Sequence, residues 1–304
     1  MKSMAWSMLL LFAAPCTSSA ETINVPSDQP TITAAVAAAG VGDTIFIEAG
    51  TYFESSIFIS SADLTISGAT HGDGSPAVTL DGSGVNDILL AIGIVGSEGA
   101  TVQNIVFTGS LGNALWIYHM DPVIRNCVFT GNSSEFAGGA LWSSDSEAVI
   151  EDCRFVGNDG GDTGSIFFTK SNSSGSPGPT VRGCVFENNT AYSAAMIQFC
   201  QAAFENCTFR GNTATSTLSS WGSGGLVSVS GTLFCENEGA DIDGPWDDGG
   251  GNQFQDICPV ECPGDITGDN VVNVTDLLGV IAGWGDPYDV SDLLTVIGAW
   301  GACP

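Results

Sequence analysis

Arg125-Asn126-Cys127-Val128-Phe129-Thr130-Gly131-Asn132 belongs to a set of six segments, each slightly altered from the last. Gln103–Ser110 precedes it, and Glu151–Asn158, Arg182–Asn189, Glu205–Asn212 and a decayed Gly231–Glu238 follow. The central phenylalanines are Phe107, Phe129, Phe155, Phe186, Phe209 and Phe234, spaced by 22, 26, 31, 23 and 25 residues. Self-similarity at that period marks a solenoid.

The residue types fit one coil of a parallel β-helix per repeat, with coils stacked at ~4.8 Å. Short runs of β-formers alternate with Gly, Asn, Ser and Asp, and none is long enough for an ordinary helix. Each Phe is expected to point inward and stack on the Phe of the next coil. Two residues earlier, Ile105, Cys127, Cys153, Cys184 or Cys207 shares that facing, because side chains alternate along a strand. Before it stands Asn104, Asn126, Asp152, Gly183 or Asn206, residue types that tolerate the left-handed backbone of a sharp bend. Three residues after Phe come Asn132, Asn158, Asn189 and Asn212, placed to hydrogen-bond their copies as stacked amides do.

Upstream, Thr44–Ile47, Ser56–Ile59, Leu64–Ser67 and Val78–Asp81 read as short strands between Gly-rich breaks. Pro30–Ala39 reads as a short helix that covers the open end of the solenoid, whose backbone would otherwise be unpaired. The stretch Ile23–Gly68, with Val25-Pro26, Pro30-Thr31-Ile32, Gly42-Asp43-Thr44-Ile45 and Leu64-Thr65-Ile66-Ser67-Gly68, resembles the entry segment of right-handed parallel β-helix proteins of the pectin-lyase-like superfamily. The Phe-x-x-Asn units, with Gly138-Gly139-Ala140-Leu141, resemble repeats of polymorphic outer-membrane adhesins. The implied fold is all-β: a right-handed parallel β-helix over 21–240 with an N-terminal capping helix. A Gly/Asp-rich capping loop and linker at 241–261 and a small C-terminal module at 262–304 complete the chain. One such fold hosts many activities, so the resemblance implies architecture more than function.

Residues 1–20 read as a cleaved secretory signal, with Lys2, an apolar core Met8–Ala14 and Ser18-Ser19-Ala20 as the cleavage region. This implies an extracellular or cell-surface location. A lipoprotein signal through Cys16 is the poorer fit, because Pro15 precedes it. No other stretch is long and apolar enough to span a bilayer. The chain carries 34 acids against six bases, a net of −28, which becomes −29 when Lys2 leaves with the signal. Such a surface repels nucleic acid and anionic membranes. It also repels polygalacturonate at long range, with salt screening this beyond about 10 Å. Cys127, Cys153, Cys184 and Cys207 should form an internal ladder, either as adjacent disulfides or as buried free thiols. Cys235 with Cys258 and Cys262 with Cys303 bracket the two following segments and are candidate pairs, leaving Cys200 over.

The tail carries the clearest chemistry. Asp265–Asp276 has oxygen-bearing side chains at loop positions 1, 3, 5, 9 and 12, namely Asp265, Thr267, Asp269, Asn273 and Asp276. The Val271 carbonyl serves position 7, and Asn270 stands where the turn needs a left-handed residue. This is how an EF-hand-type loop surrounds calcium. Leu277, Leu278, Ile281 and Trp284 then follow on one face of a short helix. Asn273–Gly285 is echoed by Asp289–Gly301, and loop plus helix twice over resembles a type I dockerin module. The second copy has Ile281, Gly283 and Gly285 where the early ligands belong, so one calcium ion is expected rather than two. The resemblance implies a cohesin-like partner docking at Val274, Thr275, Val290 and Ser291. The alternative is a small clasp held folded by calcium and a disulfide.

A pectate-lyase-like site would need an Arg or Lys base beside a carboxylate calcium cluster, and a hydrolase would need clustered carboxylates. The chain offers only His71 and His119, and no Arg-x-Lys. The best cluster is Asp145, Glu147, Asp159 and Asp162 near Arg154 and Lys170. If these converge in one groove, an enzyme gains support. Trp116, Tyr118, Trp142, Phe168, Tyr192 and Trp221 form a candidate aromatic strip for stacking sugar rings, at least half of it expected to face the core. We therefore name no catalytic residue and expect a secreted, non-catalytic polysaccharide-binding or adhesion rod. A polysaccharide lyase or glycoside hydrolase delivered by the tail, and a scaffold-assembly component, are the alternatives.

Overall fold

The computed structural model describes residues 19–59, 61–85, 87–93, 99–135, 137–171, 176–259, 264, 266, 271–283 and 290–302. It divides into two compact units, Met1–Phe254 and Gln255–Pro304. The expected signal at 1–20 lies almost wholly outside the described residues. No described helix is long and apolar enough to cross a membrane.

The first unit is a parallel β-helix with three strands per coil. In one coil Val123–Arg125 belongs to sheet A, Val128–Thr130 to sheet B and Leu141–Ser144 to sheet C. The next coil repeats the sequence with Val149–Glu151, Arg154–Val156 and Gly164–Thr169, each paired in parallel with its predecessor. Sheet C holds eight strands, from Ile57–Ile59 to Glu238–Asp243, roughly one per coil.

Left-handed residues turn the corners. Asn104, Asn126, Asp152, Gly183 and Asn206 have φ of 61°, 47°, 54°, 61° and 52°, where the sequence places the bend between sheets A and B. A second series, Gly131, Gly157, Asn188, Gly211 and Glu236, leaves sheet B. A third, His119, Asp145, Phe199 and Gly222, leaves sheet C. Ser56 also has a positive φ, which is why its strand starts at Ile57 instead of at Ser56.

Three ladders run inside. The phenylalanine rings stack at 4.8, 4.9, 4.9, 4.3 and 5.0 Å from Phe107 to Phe234, within 11° of parallel, and Phe254 adds a sixth step at 5.1 Å. Each fully buried ring contributes about 1.5–3 kcal/mol. Beside them the side chain of Asn132 donates to Asn158, Asn158 to Asn189, Asn189 to Asn212 and Asn212 to Asn237, at 2.9–3.1 Å. Each amide also donates to a carbonyl of the preceding coil, as Asn158 does to Phe129 O at 2.9 Å. The cysteine ladder is buried and reduced: Cys127, Cys153, Cys184 and Cys207 are free thiols. In-register stacking points their Cβ atoms the same way, whereas a disulfide needs them to converge. The Cys153 Sγ instead lies 3.3 Å from Glu151 O and 3.6 Å from Ile124 O, placed to donate to a backbone carbonyl.

The N-terminal helix α1 spans Ile32–Ala38. Thr31 caps it by accepting the Ala34 N–H, and Glu54 accepts the N–H groups of Ile32 and Thr33 at 2.8 and 2.9 Å. A carboxylate satisfies orphan donors and the positive helix end together. Ile32 and Ala35 face the first coil.

Candidate functional site

The outer face of sheet C carries the strip. Register places Phe58, Ala91, Trp116, Trp142, Phe167, Met196, Ser219 and Asp243 in one column along the solenoid, because Leu115, Leu141, Ile166 and Leu218 beside them point inward. Trp116 and Trp142 lie 6.1 Å apart, and Trp142 and Phe167 6.3 Å. Tyr118 and Trp221 stand in the adjoining outward column. One member of the expected strip is corrected: Phe168 is fully buried in the core, and its neighbour Phe167, only 8% exposed, lies on the other side of the strand in a separate apolar cluster. The strip thus has five of its six expected residues on the outside, more than expected.

At the later coils the strip opens into a groove of about 440 Å³ lined by Asp162, Tyr192, Met196, Ser219, Trp221 and Asp243. Tyr192 is 43% and Trp221 49% exposed, so two aromatic faces are available from solution. Phe167, Met196 and Ala137 form a small apolar cluster outside the main core, with Trp142 packed against it. The indole N–H groups of Trp116 and Trp142 are enclosed and make no hydrogen bond. Each such donor costs about 1–3 kcal/mol, so the strip is not arranged for stability alone.

The carboxylate cluster does not converge. Asp145 lies at the corner leaving sheet C, Asp159 and Asp162 at the corner entering it, and Arg154 on sheet B. A sheet C strand separates the two corners, roughly 13 Å for four residues. Contiguity in sequence misleads here because the chain turns a corner between these residues. Burial pushes the Asp145 carboxyl up, but hydrogen bonds from the Ser171 hydroxyl and N–H outweigh it and hold the group lower than usual. Asp145 thus ties the corner that leaves sheet C to the Ser171 turn of the next coil. All five bases downstream of Lys2 are committed: Arg154 and Arg210 to Glu187, Arg182 to Glu151, Lys170 to Glu147 and Arg125 to Gln103.

In the second unit, helices α2 (Val274–Ala282) and α3 (Val290–Gly298) pack through Val280, Val296, Leu277 and Leu293. Val271–Val272 pairs antiparallel with Gly301–Ala302. Asn273 caps α2, its side chain accepting the Thr275 N–H and hydroxyl at 2.8 and 2.7 Å. Asp276 returns the contact by accepting the Asn273 N–H at 2.8 Å and is wholly buried. An enclosed carboxylate at loop position 12, following a capping residue at position 9, fits a calcium loop. The Val271 carbonyl accepts the Asn273 side-chain amide at 2.9 Å. Asp265, Thr267 and Asp269 lie outside the described residues, as do Cys262 and Cys303. Cys235 and Cys258 are each disulfide-bonded. Of the expected docking residues, Val274, Thr275, Val290 and Ser291 are all exposed. Sequence reasoning missed that Leu278, Ile281, Leu294, Ile297 and Trp300 are exposed too, each between 54% and 62%. The repeated spacing of Val274, Leu278 and Ile281 against Val290, Leu294 and Ile297 was the available signal.

The family model described as right handed beta helix region matches residues 65–234. The chain belongs to the right-handed β-helix family. No curated protein matches the chain significantly. Among solved structures, pectin methylesterase PemA from Erwinia chrysanthemi is similar over 74% of this chain and 82% of its own, at 12% identity and a TM-score of 0.47. A pectin methylesterase from Aspergillus niger is similar over 92% and 98%, at 17% identity and 0.46. An alginate lyase from Paenibacillus sp. str. FPU-7 is similar over 77% and 98%, at 11% identity and 0.39. Likeness at this level concerns the fold alone.

Proposed function

We propose that the protein is a secreted polysaccharide-binding rod that does no chemistry on its ligand. The outward aromatic column of sheet C carries this reading. Trp116, Trp142 and Phe167 stand on successive coils with ring centroids 6.1 and 6.3 Å apart, and Tyr192 and Trp221 continue the aromatic surface into the groove. Aromatic faces with flanking carboxylates suit the apolar face and hydroxyl rim of a pyranose. Catalysis is left out because the candidate carboxylates occupy separate corners and every base is held by a partner. The C-terminal module is proposed to hold one calcium ion through Asp265, Thr267, Asp269, Val271, Asn273 and Asp276.

A panel assay on the mature protein with calcium present tests the proposal. It scores both retention and product release on pectate, alginate, xylan and other cell-wall glycans. Retention without release supports the rod. Release of unsaturated or reducing ends that survives in the wild type and disappears in an Asp159→Ala/Asp162→Ala variant overturns it in favour of a lyase or hydrolase.

One observation favours a second role, assembly through the tail. The exposed row Val274, Leu278 and Ile281 on α2 is matched by Val290, Leu294 and Ile297 on α3. Solvent-facing apolar rows of this kind suit a protein partner, of which a cohesin-like domain is the proposed example. Pull-down of a cohesin by the wild type but not by Leu278→Asp/Leu294→Asp tests it, and capture unaffected by that pair sinks it.

A further inference from the structure

We infer that the ligand of the sheet C face is a neutral glycan, lying along the solenoid axis and anchored between Tyr192 and Trp221. This inference rests on the binding reading above and adds the chemical class and the course of the chain. Its ground is charge. None of the described strands of sheet C contains a Lys, Arg or His. The bases sit elsewhere: Arg125 and Arg182 on sheet A, Arg154 and Arg210 on sheet B, and Lys170 beyond the end of its sheet C strand, paired with Glu147. The groove instead presents two carboxylates, Asp162 and Asp243. A uronate polymer following the column would bring roughly one negative charge per coil spacing, onto a face with no cation to receive it. The mature net of −29 adds to this repulsion at long range.

A neutral sugar meets the same groove differently. Carboxylates accept charge-assisted hydrogen bonds from hydroxyl groups, and such bonds are stronger than neutral ones. Tyr192 and Trp221 offer exposed rings to the apolar face of a pyranose, with Met196 beneath them. The direction follows from register. Met196 aligns with Phe167, Trp142 and Trp116, and Ser219 and Asp243 continue the line. Tyr192, Trp221 and Asp243 belong to three successive strands of sheet C and line one groove, so a chain that follows the groove runs across the strands and therefore along the axis.

The test is affinity electrophoresis and calorimetry of the full mature protein on paired soluble polymers. Arabinoxylan, β-glucan and galactan represent neutral chains, and polygalacturonate and alginate the uronates, each at low and at moderate salt. We expect binding to at least one neutral polymer, with affinity unchanged by salt. Tyr192→Ala/Trp221→Ala should weaken it about tenfold or more, the size of one or two lost stacking contacts. Asp162→Asn/Asp243→Asn, which leaves the groove's shape intact, should also weaken neutral binding. Thermal melting of both variants shows whether the fold survives. Binding to uronates alone, or strengthened by Asp162→Asn/Asp243→Asn, overturns the inference while leaving a polysaccharide-binding rod. Retention on no polymer overturns the inference together with the binding reading beneath it.

Discussion

Replacing Asn158 by Ala removes one rung from the middle of the amide ladder. Its side chain donates to Phe129 O at 2.9 Å and to Asn189 Oδ1 at 3.1 Å. Its Oδ1 accepts the Asn132 backbone N–H and side-chain amide, both at 3.1 Å. Asn189 Oδ1 keeps the backbone N–H of residue 158 at 3.0 Å, so it is not orphaned. Two buried donors lose their partner, the Asn132 N–H and one Asn132 amide hydrogen, and Phe129 O, which stays in the sheet B ladder, loses one of its bonds. At about 1–3 kcal/mol each, partly relieved where water enters the space left, the loss comes to about 3–5 kcal/mol. Asn237 makes the equivalent contacts with Asn212 and Phe209 O but is only half-buried. Water can replace it, so Asn237→Ala should cost about 1 kcal/mol. Guanidinium unfolding followed by tryptophan fluorescence, with hydrogen exchange to show which coils open, measures both. Exchange matters because a solenoid need not unfold as one unit. Equal losses in the two variants would refute the ladder as a source of stability.

Phe155→Ala, which breaks two stacks at 4.9 Å in a fully buried site, should cost about 3–5 kcal/mol. Phe254→Ala, at a half-exposed ring with its one parallel stack on Phe234, should cost about 1 kcal/mol, and denaturation midpoints compare them. Burial pushes the Cys200 thiol from its ordinary 9.0 up to about 11, with Lys170 opposing. The native state therefore favours the neutral thiol, a contribution present below pH 9 and lost as pH rises toward 11. Cys200→Ala should flatten that alkaline decline, and an unchanged profile would count against the burial argument. The ladder thiols should resist alkylation at pH 8 in the folded protein and react fully on denaturation. Calorimetric titration of the full chain should find one calcium ion, lost in Asp265→Ala/Asp276→Ala. Two ions, or none, would refute the reading of a trimmed second copy.

The sequence was legible where each coil repeats the same demand. Phe, Cys and Asn recur because neighbouring rungs must match at the coil spacing, and Asn126 or Asp152 recur because a left-handed bend admits few residue types. Sheet C was harder to read. Leu115-Trp-Ile-Tyr and Leu141-Trp-Ser-Ser share Leu-Trp, but Ile166-Phe-Phe-Thr does not, so no single motif marks these strands from coil to coil. Phe167 and Phe168 are adjacent and alike in chemistry. Period-2 alternation sends one in and one out, but only the pairing of Leu141 with Ile166 decides which. Asp145, Asp159 and Asp162 looked like one cluster for the converse reason: proximity along the chain means little when the chain turns a corner every few residues. In the tail, Asn273 and Asp276, proposed above as calcium ligands, form the capping box of α2. The apolar row on α3 was written in the internal copy, yet its exposure depended on which side of the helix packs on Leu277 and Val280.

Hydrogen-exchange footprinting of the mature protein, with and without a glycan it retains, tests the central claim most directly. The account predicts protection concentrated in the sheet C strands Gly164–Thr169, Thr190–Gln198 and Thr213–Trp221, with sheets A and B of the same coils unchanged. Protection confined to the outer faces of sheets A or B, or to the C-terminal module, would contradict it.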